Sequence, residues 1–172
     1  IKIREFEINV CNINKVVRVM PNMPAIIGEG MNCIVSNEHV KKNSKKLVNK
    51  LFQPSGKIVW LDNEDQIDMA TAVSGSGPGY VFNIVDAMEK AAIKLGFKKN
   101  IAKILVHQTF KGSVKLLDSN YLSAEKLVTT VATKGGTTEA GLKIMKKNKI
   151  HNIFIKLIKS SYQRAKAQGK QK

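Results

Sequence analysis

Apolar residues at helical spacing dominate the chain from residue 63 to residue 168 and set the strongest limit on its fold. Over residues 81–95 they recur on one face of a helix, which Gly96 is well suited to end. Similar patterns predict further helices over 64–73 and 101–117, from Ser123 onward, after the break at 135–136 and from Ile150 onward. This part of the chain is therefore expected to be wholly helical. The polar tail over 166–172 is expected to fray.

Residues 1–62 have a different pattern, in which short β-branched runs alternate with one helix. Residues 16–20, 31–35 and 57–61 are predicted strands, since each is apolar and bounded by proline, glycine, asparagine or aspartate. Residues 40–52 carry apolar side chains at helical spacing. The expected fold class is mainly α, with a short α/β part over 1–62 and an all-helical domain over 63–172.

Charge and composition argue against several classes of partner. The net charge is +16, but only three of the 29 basic residues are arginine and only 6% of all residues are aromatic. Nucleic-acid-binding proteins usually rely on arginine forks and stacked aromatic rings. Solvated lysine faces are therefore favoured over a nucleic-acid interface. No apolar run approaches the roughly 20 residues that span a bilayer, so no membrane partner is expected.

The cysteines and histidines point to no disulfide framework and no metal. Cys11 and Cys33 are too few for a disulfide framework and form no paired motif, which favours a reducing, cytoplasmic location. The three histidines lie far apart and lack metal-ligand spacing with the cysteines.

The segment 20–25, Met-Pro-Asn-Met-Pro-Ala, directly follows a predicted strand. Two prolines within four residues make a rigid, extended loop. Ligands of open α/β sheets bind just beyond the carboxyl ends of strands, where Asn22 would offer an amide donor and acceptor. A proline-stiffened loop without ligand contacts explains the pattern equally well.

The segment 74–79, Ser-Gly-Ser-Gly-Pro-Gly, lies between two predicted helices. It lacks the pattern of a phosphate-binding loop, and no strand precedes it as a dinucleotide fingerprint would require. Its glycines allow another backbone to come close. A tight elbow between helices is the simpler alternative.

The segment 133–138, Thr-Lys-Gly-Gly-Thr-Thr, is the best-marked candidate site. Its glycines expose successive N–H groups, its threonines add hydroxyls, and a helix follows at once. Such an arrangement can bind a carboxylate. The simpler alternative is a capped helix start, with threonine as the N-cap and Glu139 supporting the first turn.

Taken together and in this order, the three segments resemble those of the pyrroline-5-carboxylate reductases. The resemblance runs from about residue 16 to residue 165. It implies a remnant of a Rossmann dinucleotide-binding domain over 1–62 and a helical dimerisation and substrate-binding domain over 63–172. It also implies reduction of 1-pyrroline-5-carboxylate to L-proline, the last step of proline biosynthesis, with NADPH or NADH, by a homodimer or higher oligomer.

The resemblance also assigns roles to residues. Thr133, Gly135, Gly136 and Thr137 would bind the substrate, and Thr138 would bind it and face the ring nitrogen as the catalytic residue. Met20, Pro21 and Asn22 would contact the cofactor.

This chain departs from the family pattern at several positions. Thr133-Lys134 replaces the usual Ser-Pro, Met23 replaces Thr, and Gly79 replaces Ala. No glycine fingerprint for a dinucleotide follows a strand, so the phosphate-binding half of the cofactor site is expected upstream, and the chain alone is expected to dimerise with little reductase activity.

Two alternatives remain open. One is a truncated, non-catalytic helical dimer that serves as an interaction module. The other is a hydroxyacid-type dehydrogenase, for which the required lysine and asparagine pair cannot be placed.

Overall fold

The computed structural model describes residues 2–10, 12–119 and 122–169, so Cys11 lies outside the described residues. The backbone divides into two compact units, one formed by Ile1–Tyr80 with Ile155–Lys172 and the other by Val81–Phe154. The predicted boundary at residues 62 and 63 differs from this division and remains a prediction. None of the helices in the described ranges has the length and apolarity needed to cross a membrane.

The first unit is built on a three-stranded sheet. Its strands are β1 (Val17–Met20), β2 (Gly30–Ser36) and β3 (Gly56–Trp60), in that order across the sheet. Strand β2 runs antiparallel to β1 and parallel to β3. The helices before residue 77 are α1 (Ile3–Asn9), α2 (Lys42–Phe52) and α3 (Asp65–Ala70), with 3-10 turns at Met23–Ile27 and Gln53–Ser55 and a π-helical turn at Thr71–Gly75. Most of the last helix of the chain also belongs to this unit.

Five helices make up the rest of the chain. They are α4 (Gly77–Lys94), α5 (Lys99–Asp118), α6 (Ala124–Val131), α7 (Thr137–Lys147) and α8 (Ile150–Gln168). Gly96 follows α4 with φ +105°, as its predicted capping role requires. Ser123 caps α6 by accepting a hydrogen bond from the N–H of Lys126 at 3.2 Å. The expected fold class, a short α/β part followed by helices, is confirmed.

Three details differ from the sequence-based expectations. Helix α1 was not predicted, and it is held partly by a distant contact, in which the N–H of Ile3 donates to Glu64 Oε1 at 2.8 Å. The helix predicted over 64–73 ends at Ala70 and continues as the π turn. Of the tail predicted to fray over 166–172, residues 166–168 are helical, and residues 170–172 lie outside the described residues.

Strand β2 forms the centre of the first unit. Cys33, Ile34 and Val35 are at most 4% exposed, because β2 has a neighbouring strand on each side and helices packed against it. One buried cluster joins Cys33 and Val35 to Val16, to Ile3 of α1 and to Ile67 of α3. Burial of this cluster provides the main stabilisation of the unit.

Two glycines allow β2 and β3 to begin side by side. Gly30 and Gly56 are partners in the parallel register. A Cβ on Gly56 would overlap the backbone of Gly30, and the φ of Gly56 is +136° with ψ −157°, a conformation open almost only to glycine. A Cβ on Gly30 would lie 2.6 Å from the Cβ of Ala25. Both positions therefore require glycine.

The second unit buries few side chains. Among its described residues only Ala102 and Val106 are buried, on one face of α5. Another face of α5 carries Ile101, Leu105 and Leu116, which are 40%, 45% and 52% exposed, with the small residues Thr109 and Gly112 between them. We call these five residues the α5 stripe; their spacing of three and four places them on one side of the helix.

Gly56→Ala is expected to destabilise the protein by about 2–4 kcal/mol, through the strained backbone conformation and the overlap with Gly30. Denaturant unfolding followed by circular dichroism measures this change. Gly77→Ala is the matched control, since a Cβ at Gly77 meets nothing within 4 Å. Equal stability of the two variants would contradict the assigned role of Gly56.

Candidate functional site

The loop between α6 and α7 contains the candidate substrate site. It follows Val131, where α6 ends, and leads to Thr137, the first residue of α7. Gly135 has φ +75°, the left-handed conformation that favours glycine. Gly136 is the N-cap of α7, with φ −79° and ψ 167°. The paired glycines thus form the turn after which the chain enters α7.

Gly136 packs closely against Thr133. The N–H of Gly136 donates to the carbonyl oxygen of Thr133 at 2.9 Å. A Cβ on Gly136 would lie 2.5 Å from Thr133 Oγ1 and 3.0 Å from the carbonyl oxygen of Thr133. Glycine at this position therefore lets the Thr133 hydroxyl lie beside the amino end of α7.

Glu139 closes the loop from the other side. Its Oε2 accepts a hydrogen bond from the N–H of Gly135 at 2.9 Å and lies 3.3 Å from Lys143 Nζ, one turn further along α7. The N–H groups of both glycines therefore have internal acceptors in this structure. Their predicted role in holding a carboxylate remains a prediction.

The amino end of α7 offers other donors. The N–H groups of Thr137 and Thr138 lie in the first turn, where a helix provides no acceptor for them. Thr133, Thr137 and Thr138 are all exposed. The predicted alternative of a threonine N-cap was wrong: the cap residue is Gly136, and no side chain caps the helix there. The threonine hydroxyls consequently remain available to a ligand.

The loop after β1 lies in the first unit. Asn22 Oδ1 accepts from the N–H of Met31 at 2.9 Å, and its Nδ2 donates to the carbonyl oxygen of Ser74 at 3.0 Å. The amide expected to face a cofactor thus ties the loop to β2 and to the π turn. Met20 is partly buried against the core, and Pro21 is exposed.

The loop after β1 does not lie at the same end of the sheet as the carboxyl ends of β2 and β3. Because β1 is antiparallel to β2, Met20 at the end of β1 pairs with Cys33, and Asn22 lies near the beginning of β2. The carboxyl ends of β2 and β3 lie together at the opposite end of the sheet. The assignment of Met20, Pro21 and Asn22 to a cofactor therefore remains a prediction.

The segment 74–79 lies against the same loop. A Cβ on Gly75 would lie 3.2 Å from Met20 Sδ, so this glycine makes room for a side chain, whereas the segment was predicted to let another backbone come close. Cys33 Sγ lies 3.5 Å from Ser74 Oγ. The first two motifs thus meet within the first unit, whereas the loop 133–138 belongs to the second. Sequence reasoning missed the bond from Asn22 to Ser74, for which no local pattern gives a signal.

The residues that the structure describes form no metal site, and the hollow in the second unit lies away from the loop 133–138. Within residues 2–10, 12–119 and 122–169, no three His, Cys, Asp or Glu side chains lie close enough to hold a metal ion. A hollow of about 590 Å³ lies toward the far end of α7, with Val128, Leu142, Met145 and Ile150 as its apolar lining. None of the residues from 133 to 138 lines it.

A family model described as pyrroline-5-carboxylate reductase dimerisation matches residues 64–168, which include both the loop 133–138 and the α5 stripe. The chain belongs to the pyrroline-5-carboxylate reductase family. The match begins one residue after the predicted start of the helical domain and covers α3 to α8.

Individual relatives agree with this membership. A pyrroline-5-carboxylate reductase of Haemophilus influenzae is 37% identical over 134 residues, which are 77% of this chain and 49% of that protein. A crystal structure of Plasmodium falciparum pyrroline carboxylate reductase with NADP bound matches with a TM-score of 0.90 and 35% identity, over 97% of this chain and 63% of that one. The enzyme of Coxiella burnetii gives a TM-score of 0.87 at 34% identity, over 91% and 58%.

The chain spans about half the length of the curated relatives that it matches. The family relation therefore establishes what the helical part is similar to. The activity of a whole reductase is a separate inference.

Asn22→Ala is expected to lower stability by about 2 kcal/mol, because it leaves the N–H of Met31 and the carbonyl of Ser74 without their partner. Asn22→Asp keeps the acceptor for Met31 but turns a carboxylate toward a carbonyl oxygen, and should be destabilising as well. Asn43→Ala, an exposed change in α2, is the control for denaturant unfolding. An equal unfolding midpoint for Asn22→Ala and Asn43→Ala would show that the two hydrogen bonds of Asn22 contribute nothing to the free energy of unfolding.

Proposed function

We propose that this chain binds the substrate and forms the dimer in a pyrroline-5-carboxylate reductase, which reduces 1-pyrroline-5-carboxylate to L-proline with NADPH or NADH. The observation that supports it most directly is the loop 133–138, with three exposed threonines around the open amino end of α7, in a chain of this family. The partial positive charge of a helix amino end favours a carboxylate there.

The substrate carboxylate would bind at the first turn of α7. The N–H groups of Thr137 and Thr138 would donate to its oxygens, and the Thr133 hydroxyl would add a third hydrogen bond. The N–H of Gly135 would add a fourth once Glu139 has released it. These contacts would fix the ring, and such orientation supplies a large part of the rate in hydride transfer. The Thr138 hydroxyl would then lie beside the ring nitrogen as the catalytic residue.

The nicotinamide cofactor, when bound, supplies a hydride to the imine carbon of the ring. The electron pair of the C=N bond then becomes the lone pair of the product nitrogen, which remains next to the Thr138 hydroxyl. Little acid–base chemistry is needed, because the imine is already protonated when the hydride arrives.

The loop after β1 fits a cofactor only in part. Pro21 is exposed and offers a rigid apolar surface. The Asn22 amide is engaged by Met31 and Ser74, so it would shape the loop and would not reach the ligand. We accordingly propose Met20 and Pro21 as the cofactor-facing part of the segment 20–22, with Asn22 as the residue that positions them.

The proposed assembly is a homodimer in which the second units of two copies contact each other. The α5 stripe and other apolar side chains of this unit are exposed in the single chain, and a second copy would remove them from water. We place the protein in the cytoplasm, since the thiol of Cys33 is free and buried, as expected in a reducing compartment.

Leu105→Glu is expected to shift the protein from dimer to monomer, since it places a charge in the centre of the α5 stripe. Sedimentation velocity or light scattering coupled to gel filtration measures the mass. Lys103→Glu introduces the same side chain on a different face of the same helix and should leave the dimer intact. Persistence of the dimer in both variants would exclude the α5 stripe as the interface.

Gly136→Leu is expected to weaken L-proline binding by at least about tenfold, or 1.4 kcal/mol, because the new side chain would displace Thr133. Titration calorimetry measures the affinity, and circular dichroism confirms that the helices persist. Gly141→Leu in the middle of α7, where a Cβ meets nothing within 4 Å, is the matched control. If L-proline binding is absent or insensitive to Gly136 while the dimer forms, the interaction-module alternative gains support.

A further inference from the structure

We infer that the Glu139 carboxylate occupies the loop 133–138 in the absence of ligand as an internal substitute for the substrate carboxylate, and that binding requires the two to exchange. This inference rests on the proposed function, because it concerns the same loop. It adds a residue to which neither the sequence patterns nor the family relation gives a ligand-related role.

The geometry places a carboxylate on a donor of the loop. Glu139 Oε2 accepts a hydrogen bond from the N–H of Gly135 at 2.9 Å, and Gly135 has the left-handed backbone conformation. Lys143 Nζ supports the same oxygen at 3.3 Å from the next turn of α7. The Glu139 side chain is 34% exposed, so a small anion from solvent can reach it.

This contact differs from ordinary helix capping. In a capping box, the glutamate at the third helical position accepts from the N–H of the N-cap residue. Here the N-cap is Gly136, and its N–H donates to Thr133. Glu139 instead reaches one residue further back, to the N–H of Gly135 inside the loop. Its carboxylate thus lies among the groups proposed to hold the substrate.

Two carboxylates cannot share this position at low cost. Gly135 has a single N–H, and a second negative charge next to Glu139 would be repelled. Binding through Gly135 therefore requires Glu139 to turn away, toward Lys143 or solvent. The affinity is reduced in proportion to the fraction of molecules in which the loop is free.

The deciding experiment compares two ligands and two variants. Glu139→Gln removes the competing charge, and Glu125→Gln, an exposed change in the first turn of α6, alters the net charge equally without reaching the loop. L-proline carries the carboxylate, whereas L-prolinamide keeps the ring and lacks the negative charge. Titration calorimetry gives the dissociation constants, and the amide NMR signal of Gly135 reports the exchange directly.

The expected result is a roughly two- to fivefold lower dissociation constant of L-proline for Glu139→Gln, as for other partly exposed charge interactions. L-prolinamide should bind both variants and the unchanged protein alike, and Glu125→Gln should match the unchanged protein with both ligands. The Gly135 amide signal should shift when L-proline is added to the unchanged protein.

Other results overturn the inference in distinguishable ways. If L-proline binds the unchanged protein and its affinity for Glu139→Gln is equal or weaker, the exchange is excluded and the proposed function stands. A parallel loss of L-proline and L-prolinamide binding would instead assign Glu139 to the ring nitrogen. If the unchanged protein does not bind L-proline, the inference and the proposed substrate site both fail. Glu139→Ala, with its thermal midpoint measured, replaces Glu139→Gln if the latter is poorly folded.

Discussion

The close approach of Gly30 and Gly56 is the constraint on which the first unit depends. Strand β2 begins in contact with β3 at these glycines, and it is the most buried strand because it also pairs with β1 on its other side. The turn Met23–Ile27 must then fit above Gly30, where only hydrogen is tolerated on the α-carbon. This arrangement brings Asn22 to the N–H of Met31, and through its other end to Ser74. A local steric limit thus contributes to joining two motifs through residues that are 52 positions apart in the sequence.

The parts of the fold that sequence reasoning predicted are those fixed by local periodicity. The strands around Val19, Ile34 and Ile58 and the helices from α4 onward were all expected, since their apolar spacing reflects which side faces the core. Helix α1 was missed because one of its anchors is Glu64, a residue 61 positions away. The π turn at Thr71–Gly75 was also missed, as its backbone hydrogen bonds have no residue pattern of their own.

For the candidate site, the sequence indicated where the loop lies but not which donors it leaves open. The paired glycines and threonines correctly predicted a turn before a helix. The acceptors of their N–H groups could not be foreseen, because Thr133 and Glu139 are compatible with several hydrogen-bond arrangements. Both glycine N–H groups already donate, to Thr133 and to Glu139. The N–H groups of Thr137 and Thr138 are therefore the donors left for a ligand. The negative charge of Glu139 would therefore oppose the binding of a carboxylate at this loop.

The sparse burial of the second unit has a consequence for how the protein responds to concentration. With only Ala102 and Val106 buried among its described residues, this unit gains little from packing within one chain. A partner that covers the α5 stripe binds the folded helices and not the unfolded chain, so it adds to their stability by mass action. The midpoint of thermal unfolding should then rise with protein concentration, and dilution alone should act on these helices as a denaturant does.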